Sequence, residues 1–205
     1  MLYYLGMFGI AAFAVTGVIS SGKRDMDLFS IILLGMVASL GGGTIRDVIL
    51  SMETVYWVQD TSYLWVAVGS SCFAFFSIRY IANRETLFNY ADAFGLALFT
   101  VVATERVLLY QFPDTIAITM GVITGVAGGI IRDVISHRPP LVLGREFYAT
   151  PAFLGAAMVV ALSKIAPEHE FNAIYSAAFI FILRILAIHK GLYYPQWLLY
   201  KKSLD

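Results

Sequence analysis

Charge is scarce in this chain. Only 14% of its 205 residues are Asp, Glu, Lys or Arg, while 59% are hydrophobic and the mean hydropathy is +0.76. A soluble domain carries about a quarter of its residues as charges, so most of this surface must meet lipid. The formal net charge is zero, which leaves no basic field to hold nucleic acid. Cysteine is nearly absent: Cys72 stands alone inside an apolar run, which excludes a disulfide framework and a cysteine-rich metal site. His137, His169 and His189 fall near three different connectors, so no histidine–carboxylate cluster points to a metal enzyme. No nucleophile–base pair can be nominated, and an enzyme is not expected. Neither is a resident cofactor. The basic n-region of a signal peptide is missing from Met1-Leu2-Tyr3-Tyr4, and no small-residue cleavage site leads into a polar mature domain. The first apolar segment therefore reads as a retained helix.

What the chain has is long apolar runs. A hydrocarbon core of about 30 Å takes roughly 20 helical residues. Runs of that length cover 2–22, 28–50, 63–82, 90–110, 115–136, 147–166 and 172–188, separated by short polar connectors. They form one transmembrane domain over 1–205. Tyr56, Trp57, Tyr63, Trp65, Tyr148, Tyr193, Tyr194 and Trp197 fall at the expected span ends, where aromatic rings favour the headgroup layer. Seven crossings place Lys23, Arg24, Arg79, Arg84, Arg138, Arg145, Lys190, Lys201 and Lys202 on one side. The other side keeps Lys164 with Glu53, Asp60, Asp114, Glu168 and Glu170. The excess of basic residues on the cytoplasmic side puts the N-terminus outside and the C-terminus in the cytoplasm.

The chain also repeats itself. A shift of 86 positions aligns Phe8-Gly9 with Phe94-Gly95, Gly42-Gly43 with Gly128-Gly129, and Ile45-Arg46-Asp47-Val48-Ile49 with Ile131-Arg132-Asp133-Val134-Ile135, without a gap. Repeat one covers about 2–82, repeat two about 90–166, and a seventh helix about 172–190 follows. Each repeat holds three spans, so the second copy lies upside down relative to the first. Such inverted repeats put a pathway at their interface near the midplane, between interrupted helices.

The expected interruptions are Gly41-Gly42-Gly43 in the second span and Gly128-Gly129 in the fifth. Consecutive glycines weaken a helix and permit a bend or local unwinding. They also permit close helix packing through small residues. One turn later stand Arg46-Asp47 and Arg132-Asp133, charges that cost several kcal/mol at this depth unless paired or wetted. Adjacent helical positions point about 100° apart, so each Arg is expected to seek groups on other helices, either as a structural bridge or in permeation. Glu105-Arg106 lies late in the fourth span, where Arg106 can snorkel to the surface, as can Arg184 and His189 in the seventh. Thr16, Ser20, Ser39, Thr44, Thr100, Thr104 and Thr124 give spans one, two, four and five a mild polarity. They either line a wet pore or bond back to their own helix. The glycine run is not a nucleotide loop, because it has neither the strand-before, helix-after context nor a Gly-Lys-Ser/Thr.

Gly41-Gly42-Gly43-Thr44-Ile45-Arg46-Asp47, Gly128-Gly129-Ile130-Ile131-Arg132-Asp133 and the following Arg138-Pro139-Pro140-Leu141-Val142-Leu143 resemble the prokaryotic branch of the trimeric intracellular cation (TRIC) channels. That family is also described as glycine-transporter-like. The resemblance covers about 6–188. It implies a homotrimer in a bacterial inner membrane, each protomer with its own hourglass pore lined by helices one, two, four and five and shaped by kinks at the glycines. Permeation of potassium, with sodium, is implied. Family members often carry a basic residue late in the fourth helix, and Arg106 matches it, although an ion pair with Glu105 would mute its role. A carrier of glycine-like zwitterions remains the alternative on the same architecture. The topology is testable by fusion: a reporter after Asp205 should read cytoplasmic and one in the 51–62 connector external. A C-terminus found outside would remove both the seven-span count and the inversion.

Overall fold

The computed structural model describes residues 1–21, 26–167 and 169–195, without the side chain of Arg79. Lys23, Arg24, Glu168, Trp197, Lys201 and Lys202, used in the orientation and interface arguments above, lie outside the described residues. The described chain is all helical: α1 (Leu2–Ser21), α2 (Leu28–Ile49), α3 (Tyr56–Gln59), α4 (Ser62–Ser77), α5 (Arg84–Leu109), α6 (Asp114–Ile135), α7 (Ala149–Ile165) and α8 (Asn172–Lys190). Tight 3₁₀ turns occur at Ile78–Tyr80 and Leu141–Leu143. By length and composition, α1, α2, α6 and α8 are apolar enough to cross a membrane.

Local chemistry sets the boundaries. Asp27 caps α2 by accepting the Ser30 amide at 2.7 Å, and Asn83 caps α5 by accepting the Thr86 amide at 3.1 Å. Because of that cap, α5 starts at Arg84, before the apolar run at 90; hydropathy does not register a polar first turn. The 63–82 run ends its α-helix early, at Ser77, and closes through the 3₁₀ turn. The connector 51–62 folds as well, since α3 forms inside it.

The 86-residue offset is visible at atomic level. Helices α2 and α6 are each 22 residues long and end alike. Leu50 and Ser136 amides return to the Arg46 and Arg132 carbonyls, and Met52 and Arg138 amides to those of Asp47 and Asp133. Ser51 and His137 both take the left-handed backbone, each with φ of 52°. Packing follows the same plan: α1, α2 and α4 form one mutually packed triad, and α5, α6 and α7 another. The triads join through α1 on α5 and α2 on α6, and α8 packs on α5 and α7.

Between helices in lipid there is little hydrophobic drive, so close van der Waals approach must hold them. Where α1 crosses α2, a Cβ on Gly17 would overlap the Gly35 backbone. Where α2 crosses α6, a Cβ on Gly42 would overlap the Thr124 carbonyl, and one on Gly128 the Ala38 carbonyl. These contacts show the packing role of Gly42 and Gly128. Both α2 and α6 stay α-helical from end to end, so the expected unwinding does not occur at either run. Each backbone keeps its internal hydrogen bonds, as an apolar surrounding demands, and the glycines let two backbones meet.

Tyr56 and Tyr148 also depart from expectation. They are 6% and 2% exposed and belong to core clusters, not to a headgroup belt. Trp65, 68% exposed, keeps its outward position. The packing account predicts that Gly42→Ala and Gly128→Ala each cost about 1–3 kcal/mol through overpacking. Gly69→Ala, where a Cβ would meet nothing within 4 Å, should be neutral or slightly stabilising. Melting curves in mild detergent check this; equal melting temperatures for all three variants would remove the close-approach role.

Candidate functional site

The charged motifs close α2 and α6 and so lie at opposite ends of the bundle. At the end that holds the N-terminus, Arg46 donates through Nε and Nη2 to Asp47 Oδ1 at 2.8 and 2.6 Å. Asp47 Oδ2 accepts the Tyr56 amide at 2.8 Å, so this carboxylate both neutralises a cation and anchors α3. The Arg46 guanidinium sits 5.5 Å from the Tyr56 ring centroid, and that of Arg106 sits 5.8 Å from the same ring. Burial pushes the Tyr56 hydroxyl well above its ordinary pKa, which keeps it a neutral phenol. Trp57 Nε1 donates to Thr44 Oγ1 at 2.9 Å, tying α3 to α2 a second time.

At the other end Arg132 is wholly buried and has more partners. Nε donates to Asp133 Oδ1 at 2.9 Å, while Nη1 donates to Asp92 Oδ1 at 2.7 Å and to Thr16 Oγ1 at 2.8 Å. One guanidinium thus links α6, α5 and α1. Asp133 Oδ2 accepts the Leu141 amide at 3.2 Å and holds the following connector. The guanidiniums of Arg132 and Arg138 each lie 4.4 Å from the Phe88 ring centroid. Arg138 Nη2 also bonds Glu85 at 3.0 Å. Asp92 Oδ2 and Arg132 Nη2 are buried without a hydrogen-bond partner among the described residues.

The expectation that each Arg would turn to other helices is therefore corrected for Arg46 and half met for Arg132. Both arginines bond their own neighbouring Asp. The Cβ directions diverge by about 100°, but the long Arg stem bends back so that Nε, nearest the backbone, meets the adjacent carboxylate. The expected Glu105–Arg106 ion pair is not formed among the described residues; Arg106 instead stacks near Tyr56 and Tyr110. Arg184 does not snorkel. It is 1% exposed, donates to the Phe147 carbonyl at 2.7 Å and lies 4.7 Å from the Tyr148 ring centroid. His189 meets the Tyr90 hydroxyl at 2.6 Å.

The hydroxyls divide into two sets. Thr16, Ser20, Ser39, Thr44 and Thr104 donate to carbonyls of their own helices. Ser20 also meets Ser136 at 3.0 Å. Thr100 and Thr124 are buried, and their Oγ1 atoms lack partners among the described residues. They lie in the middle of the bundle, where Gly121, Gly125 and Gly42 press against Thr104, Thr100 and the Thr124 carbonyl. Gly41 and Gly43 face Ile131 and the Tyr56 ring, and a Cβ on Gly129 would lie 3.3 Å from the Tyr148 hydroxyl. Clefts flank this layer. One of about 410 Å³ is lined by Ser20, Asp133, Ser136 and Arg138. One of about 350 Å³ lies at the opposite end, beside Arg106.

Sequence reasoning missed Asp92 and took Arg184 for a surface residue. A lone acid at the start of an apolar run was the available sign of Asp92, but its cation lies 40 positions away and the repeat places Gly6 at the equivalent position. Among the described residues no group of three His, Cys, Asp or Glu side chains is placed to hold a metal.

The family described as glycine transporter matches residues 3–79 and 89–164. A UPF0126 membrane protein of Vibrio cholerae is 44% identical over 156 residues, 76% of this chain and 65% of that protein, so the chain spans about two-thirds of this relative. The UPF0126 inner membrane protein YadS of Escherichia coli K12 is 35% identical over 97% of both chains. Among solved structures, the TRIC channel orthologue of Rhodobacter sphaeroides superposes with a TM-score of 0.89 at 38% identity, covering 93% of this chain and 98% of that one. A TRIC structure described for conductance gives 0.83 at 32% identity, covering 98% and 97%.

The ion-pair geometry makes one energetic prediction. Asp47→Asn strands Arg46 in a low dielectric and should cost about 3–5 kcal/mol. Arg46→Met combined with Asp47→Asn should recover much of that loss, because among the described residues the Arg46 charge meets Asp47 and the Tyr56 ring alone. Melting curves of the single and double variants decide; an Asp47→Asn protein as stable as the wild type would dismiss the structural role.

Proposed function

The chain belongs to the glycine-transporter family and is a relative of the TRIC channels, and on that premise we propose that it is a potassium-permeable monovalent-cation channel. The observation that carries this reading is the likeness to a TRIC channel orthologue at TM-score 0.89 and 38% identity over nearly the full length of both chains. The protein assembles as a homotrimer in the bacterial inner membrane, with one pore through each protomer. Seven helices cross the bilayer, from an external N-terminus to a cytoplasmic C-terminus. Helices α4 and α7, of 16 and 17 residues, are about 24–26 Å long and cross by local thinning of the bilayer. Helices α1, α2 and α4 form one repeat and α5, α6 and α7 its inverted copy.

The pore runs between α1, α2, α5 and α6. Cations enter from the cytoplasmic side through the cleft at Ser20, Asp133 and Ser136, where Arg138 is paired with Glu85 and buried Asp92 and Asp133 outnumber Arg132, which biases the field towards cations. At the waist the unpartnered Thr100 and Thr124 hydroxyls replace part of an ion's hydration shell. The close α2–α6 contact at Gly42 and Gly128 sets the width there, and the pathway opens by bending at these glycines. The ions are the permeant species, and no cofactor takes part. The carboxylates that the sequence offers to a glycine carrier, Asp47 and Asp133, are each held by an arginine and a backbone amide.

The test is single-channel recording in planar bilayers. Discrete steps that reverse near the potassium equilibrium potential are expected, and Thr124→Val should lower conductance several-fold with melting unchanged. Saturable uptake of labelled glycine without steps would overturn the channel in favour of the carrier.

A further inference from the structure

Tyr56 belongs to a connector, yet its side chain ends in the core. It opens α3, a helix of four residues, and packs with Ile10 and Phe13 of α1, Leu40 of α2 and Phe99 of α5. Gly43 admits the ring, since a Cβ there would overlap the ring edge. The guanidiniums of Arg46 on α2 and Arg106 on α5 lie 5.5 and 5.8 Å from the ring centroid. The ring thus fills the space between α1, α2 and α5 at the end that holds the N-terminus. Its hydroxyl is buried without a hydrogen-bond partner among the described residues. Phenylalanine would fill the same space without stranding a polar group. A hydroxyl stranded in this arrangement favours another that brings it to water.

The ring also rides on a part that can move. Extended residues, Val55 and Asp60, flank α3 on both sides. Two hydrogen bonds tie α3 to α2: the Tyr56 amide donates to Asp47 Oδ2 at 2.8 Å, and Trp57 Nε1 to Thr44 Oγ1 at 2.9 Å. The other repeat supplies the contrast. Gly129, equivalent to Gly43 at the offset of 86, faces Tyr148, although the offset pairs Tyr56 with Val142. Tyr148 leads straight into α7, a helix of 17 residues, and the Arg184 guanidinium lies 4.7 Å from its ring centroid. That ring is built into the bundle, whereas Tyr56 is carried on a single turn. We propose that Tyr56 is a plug that closes the pathway at its external end and is withdrawn with α3 as a lid. The inference rests on a pathway between α1, α2, α5 and α6, and it adds a closure outside the contact of Gly42 with Gly128.

Thiol labelling tests the plug without relying on ion flow. In a Cys72→Ser background, Leu40→Cys puts a thiol inward of Gly43, in the cluster that the Tyr56 ring covers. A membrane-impermeant cationic methanethiosulfonate, applied to right-side-out and to inverted vesicles, should modify this thiol slowly. Tyr56→Ala should raise the rate from one side about tenfold or more, because access no longer waits for the lid to open. Trp57→Phe, which cuts the tie to Thr44, should raise it less. Tyr56→Phe, which removes the stranded hydroxyl and so favours the closed arrangement, should label more slowly than the wild type. Val126→Cys, the repeat-equivalent of Leu40, should keep its rate in all three variants. Ile10→Cys is the second reporter should Leu40→Cys fail to fold. An unchanged rate from both sides in Tyr56→Ala would overturn the plug. So would equal rises at Leu40→Cys and Val126→Cys, which mean a loosened fold, or a Tyr56→Phe protein that labels as fast as Tyr56→Ala. Faster labelling in Tyr56→Ala without potassium steps in bilayers would overturn the channel and keep the plug; potassium steps with unchanged labelling would do the reverse.

Discussion

Two buried arginines govern how this bundle is built. Arg46 and Arg132 end the two helices that meet at the centre, and each is 4% exposed or less. A guanidinium in such surroundings is tolerated only when paired and hydrogen-bonded. Each is paired by the Asp that follows it, and the second oxygen of that Asp binds a backbone amide in the next connector. The ion pair therefore does two things at once: it settles a charge and fixes where the chain goes after the helix ends. Helix α3 and the 3₁₀ turn at Leu141–Leu143 are held in equivalent places for that reason.

Close backbone approach is the second constraint, and it depends on the first. Helices α2 and α6 touch through Gly42 and Gly128, with the charged ends lying beyond the contact on opposite sides. Consecutive glycines suggested a break in each helix. In lipid a break exposes carbonyls that nothing satisfies, and here the bonds stay internal while the missing side chains admit the neighbouring backbone. Thr124 lies at this contact through its carbonyl, and the Thr100 hydroxyl faces Gly125 one turn along α6.

The two halves differ where their chemistry differs. The offset of 86 pairs Asp92 with Gly6, Arg106 with Ser20 and Tyr148 with Ser62. Repeat two thus gains a second carboxylate for its arginine at one end of the bundle. Arg106 at the other end has no ion-pair partner among the described residues. The two buried clusters have become electrically unequal: Asp92 and Asp133 share Arg132 at one end, whereas Arg46 at the other pairs with Asp47.

By itself the sequence carried the apolar, membrane-spanning character and the internal likeness at an offset of 86, because each depends on composition or on spacing along the chain. It also placed the Arg-Asp motifs and the late Arg106, since an ionisable residue in an apolar run stands out without any coordinates. Only the tertiary structure decided the partners. Asp92 lies 40 positions from Arg132, and Thr16 lies 116 away; no local pattern encodes a bond that forms when α1, α5 and α6 converge. The burial of Arg184 and Tyr148 was hidden for the same reason, since both sit near span ends where surface and interior look alike in one dimension. The glycine runs were legible as special but ambiguous, because a helix that bends and a helix that packs closely make the same demand on sequence. The close backbone approach at Gly42 and Gly128 became visible only with the neighbouring helix in place, which the folded bundle supplies.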